Sequence, residues 1–372
     1  MAVVLLVLGF FLIWPVLLLI INSFNVDAYS VLGERAWGLE HWRDAWSMPE
    51  LVLVPLGNSV MIWALVVGIS FPIAVLISWV LARTNIPFSR TIELMFWVSF
   101  MMPDIATTLA WMMLLGPGGY GLVNTGLERL PFIDDSPFNI LSVPGIVWAH
   151  LMANGISIKV ILLTPAFRNI AASMEEVRGA SNVLTMMRVT LPLMVPPMAL
   201  VFALQLLHVF QSFEIEILLG RPFDFYVHST QIYGLIHGQE LPTIGLASVL
   251  AILTLVVIAI IVPVQRWIFQ RGRYATITGG FRPGLIDLGL WKLPVLGVIG
   301  FLIVLLTAGP ATVLLLASFM THWGYFNAIP TYTLGHWGAV LTDDPFLTAL
   351  RTTLILSVTA AIIGPLLFSI IA

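Results

Sequence analysis

Eight long apolar runs constrain this chain more than any other feature. Each is close to or above the roughly 20 residues that cross a bilayer as an α-helix. The sequence is 59% hydrophobic and 9% charged, whereas a soluble domain carries about 25% charged residues. The runs are apolar on every face and lack the alternation of a membrane β-barrel. We therefore predict an all-α polytopic membrane protein with spans at 2–22, 56–82, 91–115, 143–165, 193–219, 244–267, 293–319 and 346–372.

The linkers between the runs alternate in charge. One set is acidic and holds four of the sixteen basic residues, Arg35, Arg43, Arg129 and Arg221. The other set holds ten: Arg83, Arg90, Arg168, Arg178, Arg188, Arg266, Arg271, Arg273, Arg282 and Lys292. Because cytoplasmic loops of membrane proteins are enriched in Lys and Arg, the Arg-rich set is predicted to face the cytoplasm. The chain has no cysteine, which excludes disulfides and thiolate sites.

The seventh and eighth runs repeat features of the first and second. The segment 39–42, Leu-Glu-His-Trp, recurs 295 positions later as Leu-Gly-His-Trp at 334–337. Pro15 and Pro310 share this offset, and Pro72 and Pro365 differ by 293 positions. Six runs separate the copies, so both enter the membrane in the same direction, as in a parallel repeat. Chance recurrence of His-Trp pairs and helix prolines is the alternative.

This repeat predicts two parts. Residues 1–290 form one complete repeat of six spans, and a linker at 266–292 leads from it to the second copy. Residues 291–372 form the first two spans of a second, incomplete repeat. Because the second copy ends inside an apolar run, we expect the sequence to be a fragment of a longer two-repeat protein.

The linker at 166–192 has an amphipathic pattern of its own. Pro165 and Pro192 bracket it, and proline breaks helices. Apolar residues recur between them at helical spacing, and Gly179 permits a bend. We predict short helices outside the membrane that fit a groove on a partner. An ordinary amphipathic linker at the membrane surface is the alternative.

This linker resembles the EAA loop of ABC importer permeases. Gly179, Val189, Leu191 and Pro192 match that motif in type and spacing. Its glutamates depart from the motif, because they stand about three residues closer to the glycine than usual. The resemblance implies a type I ABC importer transmembrane domain whose ATPase-coupling residues are Glu175, Glu176, Arg178, Gly179, Ala180, Leu191 and Pro192.

A second resemblance covers almost the whole chain. The segments 121–124, 212–220 and 273–289 are similar to those of the fused, two-repeat permeases of the ferric-iron importer group. Glu216 departs from that group, which usually has proline there. The resemblance implies a multi-pass protein of a bacterial inner membrane that imports ferric iron. Thiamine, phosphonate and polyamine remain alternatives, since relatives of the group carry them.

The same resemblance implies partners and no cofactor. The partners are ATP-binding cassette ATPase subunits, an extracytoplasmic solute-binding protein and the lipid bilayer, with no nucleic acid. The sequence agrees that ATP is hydrolysed elsewhere, because a P-loop needs Gly-Lys followed by Ser or Thr. The only lysines, Lys159 and Lys292, follow Ile158 and Trp291. The chain is therefore expected to be a transport subunit and not an enzyme.

Four acidic residues lie in or beside the apolar runs: Glu93, Asp104, Glu214 and Glu216. An ionised group at membrane depth costs at least about 2.5 kcal/mol on insertion scales, so it tends to face a cavity or a partner. Asp104 follows Pro103, where a broken helix would expose backbone to a path. Asp104 and Glu214 are therefore candidate pathway residues; paired or interfacial structural acids are the alternative. Glu93 lies near Arg90 and is expected at the interface.

The histidines do not indicate a metal site, because none has the His-x-x-x-His spacing of a helical zinc site. His150 and His208 are expected to be packing residues within spans. The others discussed are expected at the membrane interface: His41, His228, His322 and His336. An ion-coupled secondary transporter with Asp104 or Glu214 as proton carrier is the main rival function. An intramembrane enzyme is a weaker one, since no Gly-x-Ser-x-Gly element is present.

Overall fold

The computed structural model describes residues 2–26, 36–133, 135–169, 186–238, 243–271, 285–324 and 331–371. In these residues the regular structure is helical, and the only β pairings are isolated bridges. The first half contains α1 (Ala2–Phe24), α2 (Glu40–Ser47), α3 (Pro49–Arg83), α4 (Ser89–Met101), α5 (Asp104–Leu115), α6 (Leu122–Leu127), α7 (Val143–His150), a π-helix (Leu151–Gly155) and α8 (Ser157–Arg168).

The second half begins with a π-helix (Met186–Thr190). It continues with α9 (Leu191–Leu193), α10 (Val195–Gln211), α11 (Glu214–Leu219), a 3₁₀ turn (Arg221–Phe223), α12 (His228–His237) and α13 (Ile244–Arg271). A second 3₁₀ turn (Gly289–Trp291) precedes α14 (Lys292–Ile303), a π-helix (Val304–Ala308), α15 (Gly309–Phe319), α16 (Gly335–Thr342) and α17 (Asp344–Ile371).

All eight predicted apolar runs are helical. Among the described residues, three helical stretches are long and apolar enough to cross a membrane: 49–83, 289–319 and 344–369. Three bent helix pairs meet the same criterion together, 89–115, 143–168 and 186–208. Shorter apolar helical segments occur at 9–24 and 244–257. The prediction of an all-α polytopic membrane fold is confirmed.

Three of the predicted runs are interrupted, and the fourth bends by 46° between the π-helix and α8. The third bends by 94° between α4 and α5. Met102 is extended there, with φ −70° and ψ 130°, because the residue before a proline is disfavoured in the α region. The break at Pro103 was predicted. The fifth run was wrongly taken as one span to 219, since α10 ends at Gln211 and α11 begins at Glu214. Polar side chains at this point make hydrogen bonds that compete with a continuous helix.

The main core lies where α3 packs along α8, with α4, α5 and α7 around them. Ile62, Phe96 and Ile146 are fully buried in it. The span formed by α14 and α15 packs on α4 and α5 and contributes Ile299 and Leu306 to the same core. By contrast, α1 packs mainly on α13, and α17 is exposed along its length.

A hydrogen-bonded clasp joins the linker before α14 to the end of α3. The Asn85 side-chain amide donates to Asp287 Oδ1 at 2.7 Å, and Leu288 N–H donates to Asn85 Oδ1 at 3.1 Å. Lys292 Nζ lies 2.9 Å from the same Asp287 oxygen. We call this group the Asp287 clasp. Because it connects residues about 200 positions apart, it fixes where the seventh span begins.

The C-terminal end of the first span, which is predicted to face outward, forms a small hydrogen-bonded unit. Trp42 Nε1 donates to Ser23 Oγ at 3.3 Å, and His41 Nε2 lies 3.2 Å from the carbonyl oxygen of Asn25. Asn25 also forms an antiparallel bridge with Trp37. These contacts turn the chain back from α1 into α2.

The outer end of the seventh span repeats this unit with every residue shifted by 295 positions. Trp337 Nε1 donates to Ser318 Oγ at 3.2 Å, and His336 Nε2 lies 3.1 Å from the carbonyl oxygen of Met320. Met320 forms an antiparallel bridge with Tyr332. The two units thus share backbone pairing as well as side-chain contacts.

Candidate functional site

Asp104 lies at the helix break predicted from Pro103. It is the first residue of α5, and its side chain is 21% exposed. The Asn154 amide donates to Asp104 Oδ1 at 2.9 Å and to Oδ2 at 3.3 Å. His208 Nε2 lies 4.0 Å from Oδ2, and the His208 side chain is 41% exposed. Three polar side chains from three different spans therefore meet at this point.

Glu214 joins the same group. It begins α11, and its Oε2 accepts a hydrogen bond of 3.1 Å from the backbone N–H of Ile105. A carboxylate at this place satisfies one of the unpaired donors at the start of α5 and lies at the positive end of its helix dipole. The two predicted pathway residues thus lie together although 110 positions separate them. We call Asp104, Asn154, His208 and Glu214 the polar cluster.

Glu216 has a different environment. It is 1% exposed and lies 2.7 Å from Nε2 of His150, which is 3% exposed. The Ser212 hydroxyl donates to its other carboxylate oxygen at 2.7 Å. This matches the alternative interpretation of a paired structural acid, and it also matches the expectation that His150 is a packing residue. Glu216 ties α11 to α7 beneath the polar cluster.

A buried lysine was not selected as a site residue from the sequence. Lys159 is 0% exposed. Its ammonium donates to the carbonyl oxygen of Gly155 and, at 2.8 Å, to Gln205 Oε1. Gly155 ends the π-helix before α8, and this carbonyl gains a donor at the bend. The signal in the sequence was a lysine in the middle of an apolar run, which is rare unless the residue has a specific partner.

One face of α10 connects these groups. Gln205 and His208 are three residues apart on one side of α10, and Ser212 follows four residues later, just after the helix ends. They contact Lys159, Asp104 and Glu216 respectively. The contact of Gln205 is buried and that of Ser212 is partly buried, whereas that of His208 is accessible. At about 1.5 Å per residue the strip extends roughly 10 Å along the helix.

Most of the predicted coupling residues lie outside the described residues: Glu175, Glu176, Arg178, Gly179 and Ala180. Leu191 and Pro192 are described and begin α9. Leu191 packs on a buried cluster that contains Phe167 and Met194. Phe167 is the penultimate residue of α8, so the two ends of the predicted coupling segment are packed together. Its interior, and the bend predicted at Gly179, remain predictions.

Glu93, which was expected at the interface near Arg90, pairs with Arg168 through two hydrogen bonds. One expectation about a titratable residue needs correction. His228 was expected at the interface, but it is 1% exposed. Its Nε2 lies 3.0 Å from the Leu250 carbonyl oxygen, because α12 packs against α13. Within the described part of the chain, no group of three or more His, Asp or Glu residues is arranged to hold a metal ion.

Similarity to known proteins is found at the level of the structure and not of the sequence. No protein-family model and no curated protein matches the sequence. The chain is similar to a solved bacterial ABC transporter involved in the import of the acidic polysaccharide alginate, with a TM-score of 0.60 and 21% identity. The match covers 75% of this chain and 95% of that chain.

A second similar structure is a bacterial alginate ABC transporter in complex with an alginate pentasaccharide-bound periplasmic protein. Its TM-score is 0.59 at 21% identity, again over 75% of this chain and 95% of that one. At this identity the likeness shows the fold. The chain has the all-α, multi-pass membrane fold of an ABC transporter membrane subunit.

Proposed function

We propose that this chain is the membrane-spanning permease subunit of an ATP-driven importer. The observation that carries the proposal is the fold, which matches almost the full length of a chain from an ABC transporter. The Gly-to-Leu-Pro pattern in 166–192 is an independent sequence feature that points the same way. ATPase subunits and a solute-binding protein are the partners that this function requires. We place the protein in a bacterial inner membrane.

The packing of the coupling segment supports a route from the ATPase to the membrane. Phe167 at the end of α8 and Leu191 before α10 belong to one packed cluster. A push on the segment between them therefore moves α8 and α10 together. These are the helices that the Lys159–Gln205 contact joins. We propose that Glu175 and Glu176 dock on the ATPase and that Gly179 provides the bend.

We propose that the polar cluster lines part of the substrate path. Asp104 and His208 are accessible, and they lie where α5 begins after a broken helix. Discontinuous membrane helices commonly form the sites of transporters, because their ends leave backbone groups available. The cluster lies between α5, α10 and α11, so relative movement of these helices changes its geometry. Alternating access between two repeats is the mechanism that follows.

Ferric iron is the proposed substrate. The support is the resemblance through 121–124, 212–220 and 273–289, and not the chemistry of the polar cluster. Since the described residues hold no cluster of metal ligands, we propose that the solute-binding protein recognises the metal. Thiamine, phosphonate and polyamine stay as alternatives. The similar structures concern the import of an acidic polysaccharide. We therefore add an acidic polysaccharide as a fourth alternative substrate.

The repeated unit at the outer ends of α1 and α15 supports the proposed division into 1–290 and 291–372. Identical hydrogen bonds at one offset are expected where two spans descend from a common repeat. An active transporter then contains a second complete set of six spans. The coupling segment of that second set is a further prediction.

An uptake experiment tests the function. The chain is reconstituted in proteoliposomes with its second repeat, ATPase subunits and binding protein, and uptake of the five candidate substrates is measured. We expect uptake that needs ATP and survives an uncoupler. Uptake that collapses with the uncoupler and ignores ATP would instead support an ion-coupled transporter with Asp104 or Glu214 as proton carrier.

A substitution in the coupling segment sharpens this test. Gly179→Val should abolish uptake and leave the protein in the membrane, because a β-branched residue disfavours positive φ. Thr185→Val introduces the same residue in the same segment at a position that is already β-branched, and it should retain uptake. Full uptake by Gly179→Val would contradict the coupling assignment.

A further inference from the structure

A narrow groove of about 380 Å³ lies between α3 and α14. Its volume is within the range of small-molecule sites, which is roughly 300–1,000 Å³. Ile77 and Ile299 are buried at its floor, whereas Leu76 and Val298 are exposed at its rim. The other side chains that line it are apolar or aromatic as well. The groove therefore presents an apolar surface to the interior of a membrane.

The groove exists because the two helices are joined at one end and are not packed along their length. The Asp287 clasp ties the end of α3 to the start of α14. Beyond the clasp α14 packs on α4 and makes little contact with α3. The lining positions on α3 are 73, 76, 77 and 80, and these spacings share one side of a helix. On the other wall the lining runs from 291 to 302, so the groove is about 16 Å long.

An occupant of this groove has to be apolar, narrow and flexible. Protein interiors hold few voids larger than a water molecule, and an empty gap forfeits the dispersion contacts of its walls. Water needs two to four polar partners, and the side chains at the floor supply none. A helix about 10 Å in diameter and 16 Å long occupies roughly 1,200 Å³, about three times the volume of the groove. A single acyl chain meets all three requirements.

A charged pair lies at one end of the groove. Lys292 is three and seven residues before the lining residues Val295 and Ile299, so it shares their side of α14. Its ammonium lies 2.9 Å from Asp287 Oδ1 and has two further N–H donors. The Asp287 side chain is 69% exposed. Its carboxylate contacts in the described part of the chain, including that with Asn85, all use Oδ1, which leaves Oδ2 for another donor.

We propose that this groove binds one phospholipid, with an acyl chain between α3 and α14 and a phosphoethanolamine headgroup at the Asp287 clasp. The phosphate accepts from Lys292, and the ammonium donates to Asp287 Oδ2. Because the Lys292–Asp287 pair has no net charge, it suits a zwitterionic headgroup better than an anionic one. Trp291 lines the same end of the groove, and tryptophan is enriched at the level of membrane headgroups.

The linker before α14 belongs to the Arg-rich set that is predicted to face the cytoplasm. The lipid is therefore drawn from the cytoplasmic leaflet. The proposal needs the membrane fold alone and is independent of the transported substrate and of ATP.

Native mass spectrometry of the full chain tests the proposal. The chain is placed in nanodiscs that contain phosphatidylethanolamine, phosphatidylglycerol and phosphatidylcholine in equal parts, and the lipids that stay bound after release are identified. Val298→Trp fills the groove. Val304→Trp is the matched control, because Val304 is exposed on the same span and does not line the groove.

We expect the wild type and Val304→Trp to retain one phosphatidylethanolamine per chain and Val298→Trp to lose it. Asp287→Asn should lose the preference for phosphatidylethanolamine over phosphatidylcholine, whose methylated ammonium has no N–H to donate. Equal retention by the two tryptophan variants would overturn the proposal, and so would equal retention of all three lipids by the wild type.

A photoactivatable phosphatidylethanolamine, with the reactive group on its acyl chain, keeps the test independent of how the variants fold. It is added to bilayers that contain the wild-type chain, and the labelled peptides are mapped. We expect labelling concentrated in 73–80 and 291–302 and weak labelling of α17, which is exposed along its length. Labelling spread evenly over the groove and α17 would identify bulk lipid and overturn the proposal. Labelling of α17 without the groove would show that protein covers the groove and would overturn it as well.

Discussion

The Lys159–Gln205 contact gives a sharp test of how α8 and α10 are joined. Lys159→Met keeps the length of the side chain and removes its charge. Hydrogen bonds to a charged group contribute about 1.5–3 kcal/mol each, and Lys159 makes two of them. Against this loss, a lysine at the centre of a membrane helix costs roughly 2.5–3.5 kcal/mol on insertion scales. The two effects nearly offset, so we expect Lys159→Met to fold with at most about 3 kcal/mol of lost stability.

Gln205→Leu should be worse, because it leaves the buried ammonium with one partner fewer. Leaving a buried charged donor without its acceptor costs more than the roughly 1–3 kcal/mol of a neutral buried group. The double variant Lys159→Met/Gln205→Leu removes both the charge and its partner and should regain most of the stability lost in Gln205→Leu. The expected coupling energy is then about 1–3 kcal/mol, as for other residues in direct contact.

The assay is thermal unfolding of the four purified proteins in detergent, with ATP-driven uptake measured in parallel. We expect the order of stability to be wild type, then Lys159→Met and the double variant, then Gln205→Leu. Uptake should fall in Lys159→Met even though the protein folds, because the contact between α8 and α10 is lost. Additive effects in the cycle, or full uptake by Lys159→Met, would refute the reasoning.

Three further predictions concern the other charged groups. Asp104→Asn should reduce uptake with little loss of stability, since an amide still fits beside Asn154 and His208. Glu216→Leu should cost about 1–3 kcal/mol in thermal unfolding, because buried polar partners lose their acceptor; Glu216→Gln should cost less. The Asn85 amide, the Gly289 N–H and Lys292 hold the pKa of Asp287 well below its ordinary value. The clasp should therefore persist above that ordinary pKa and weaken as pH falls towards the lowered one. Hydrogen exchange over 285–291 should show this in the wild type and not in Asp287→Asn.

Much of the membrane fold could be predicted, because bilayer crossing depends on the length and apolarity of single segments. The break at Pro103 was predictable for the same reason, since proline acts on its own helix. The break between α10 and α11 was not. There Ser212 bonds to Glu216 and Glu214 accepts from Ile105 of another span. The Ser212–Glu216 contact is local, but the Glu214–Ile105 contact is tertiary, and an apolar run gives no indication of it.

The candidate site shows the same division between local and tertiary information. Asp104 and Glu214 were predicted one at a time from their cost in a membrane, but nothing in the sequence brings them together across 110 positions. Lys159 carried a comparable signal and was passed over, because a lone lysine does not reveal Gln205 as its partner. His208 was assigned to packing, yet its exposure and its distance to Asp104 place it in the polar cluster.

Buried and accessible polar contacts alternate along the segment that contains Gln205, His208 and Ser212, and this order suggests a division of roles. Lys159 with Gln205, and His150 with Glu216, are buried contacts that fix α10 and α11 against α8 and α7. Asp104 and His208 lie between these two fixed points and remain accessible. We propose that a substrate group exchanges for the long Asp104–His208 contact without breaking the buried ones. We therefore expect substitutions at the buried positions to affect folding or coupling, and substitutions at Asp104 and His208 to affect uptake while leaving the ATPase docked.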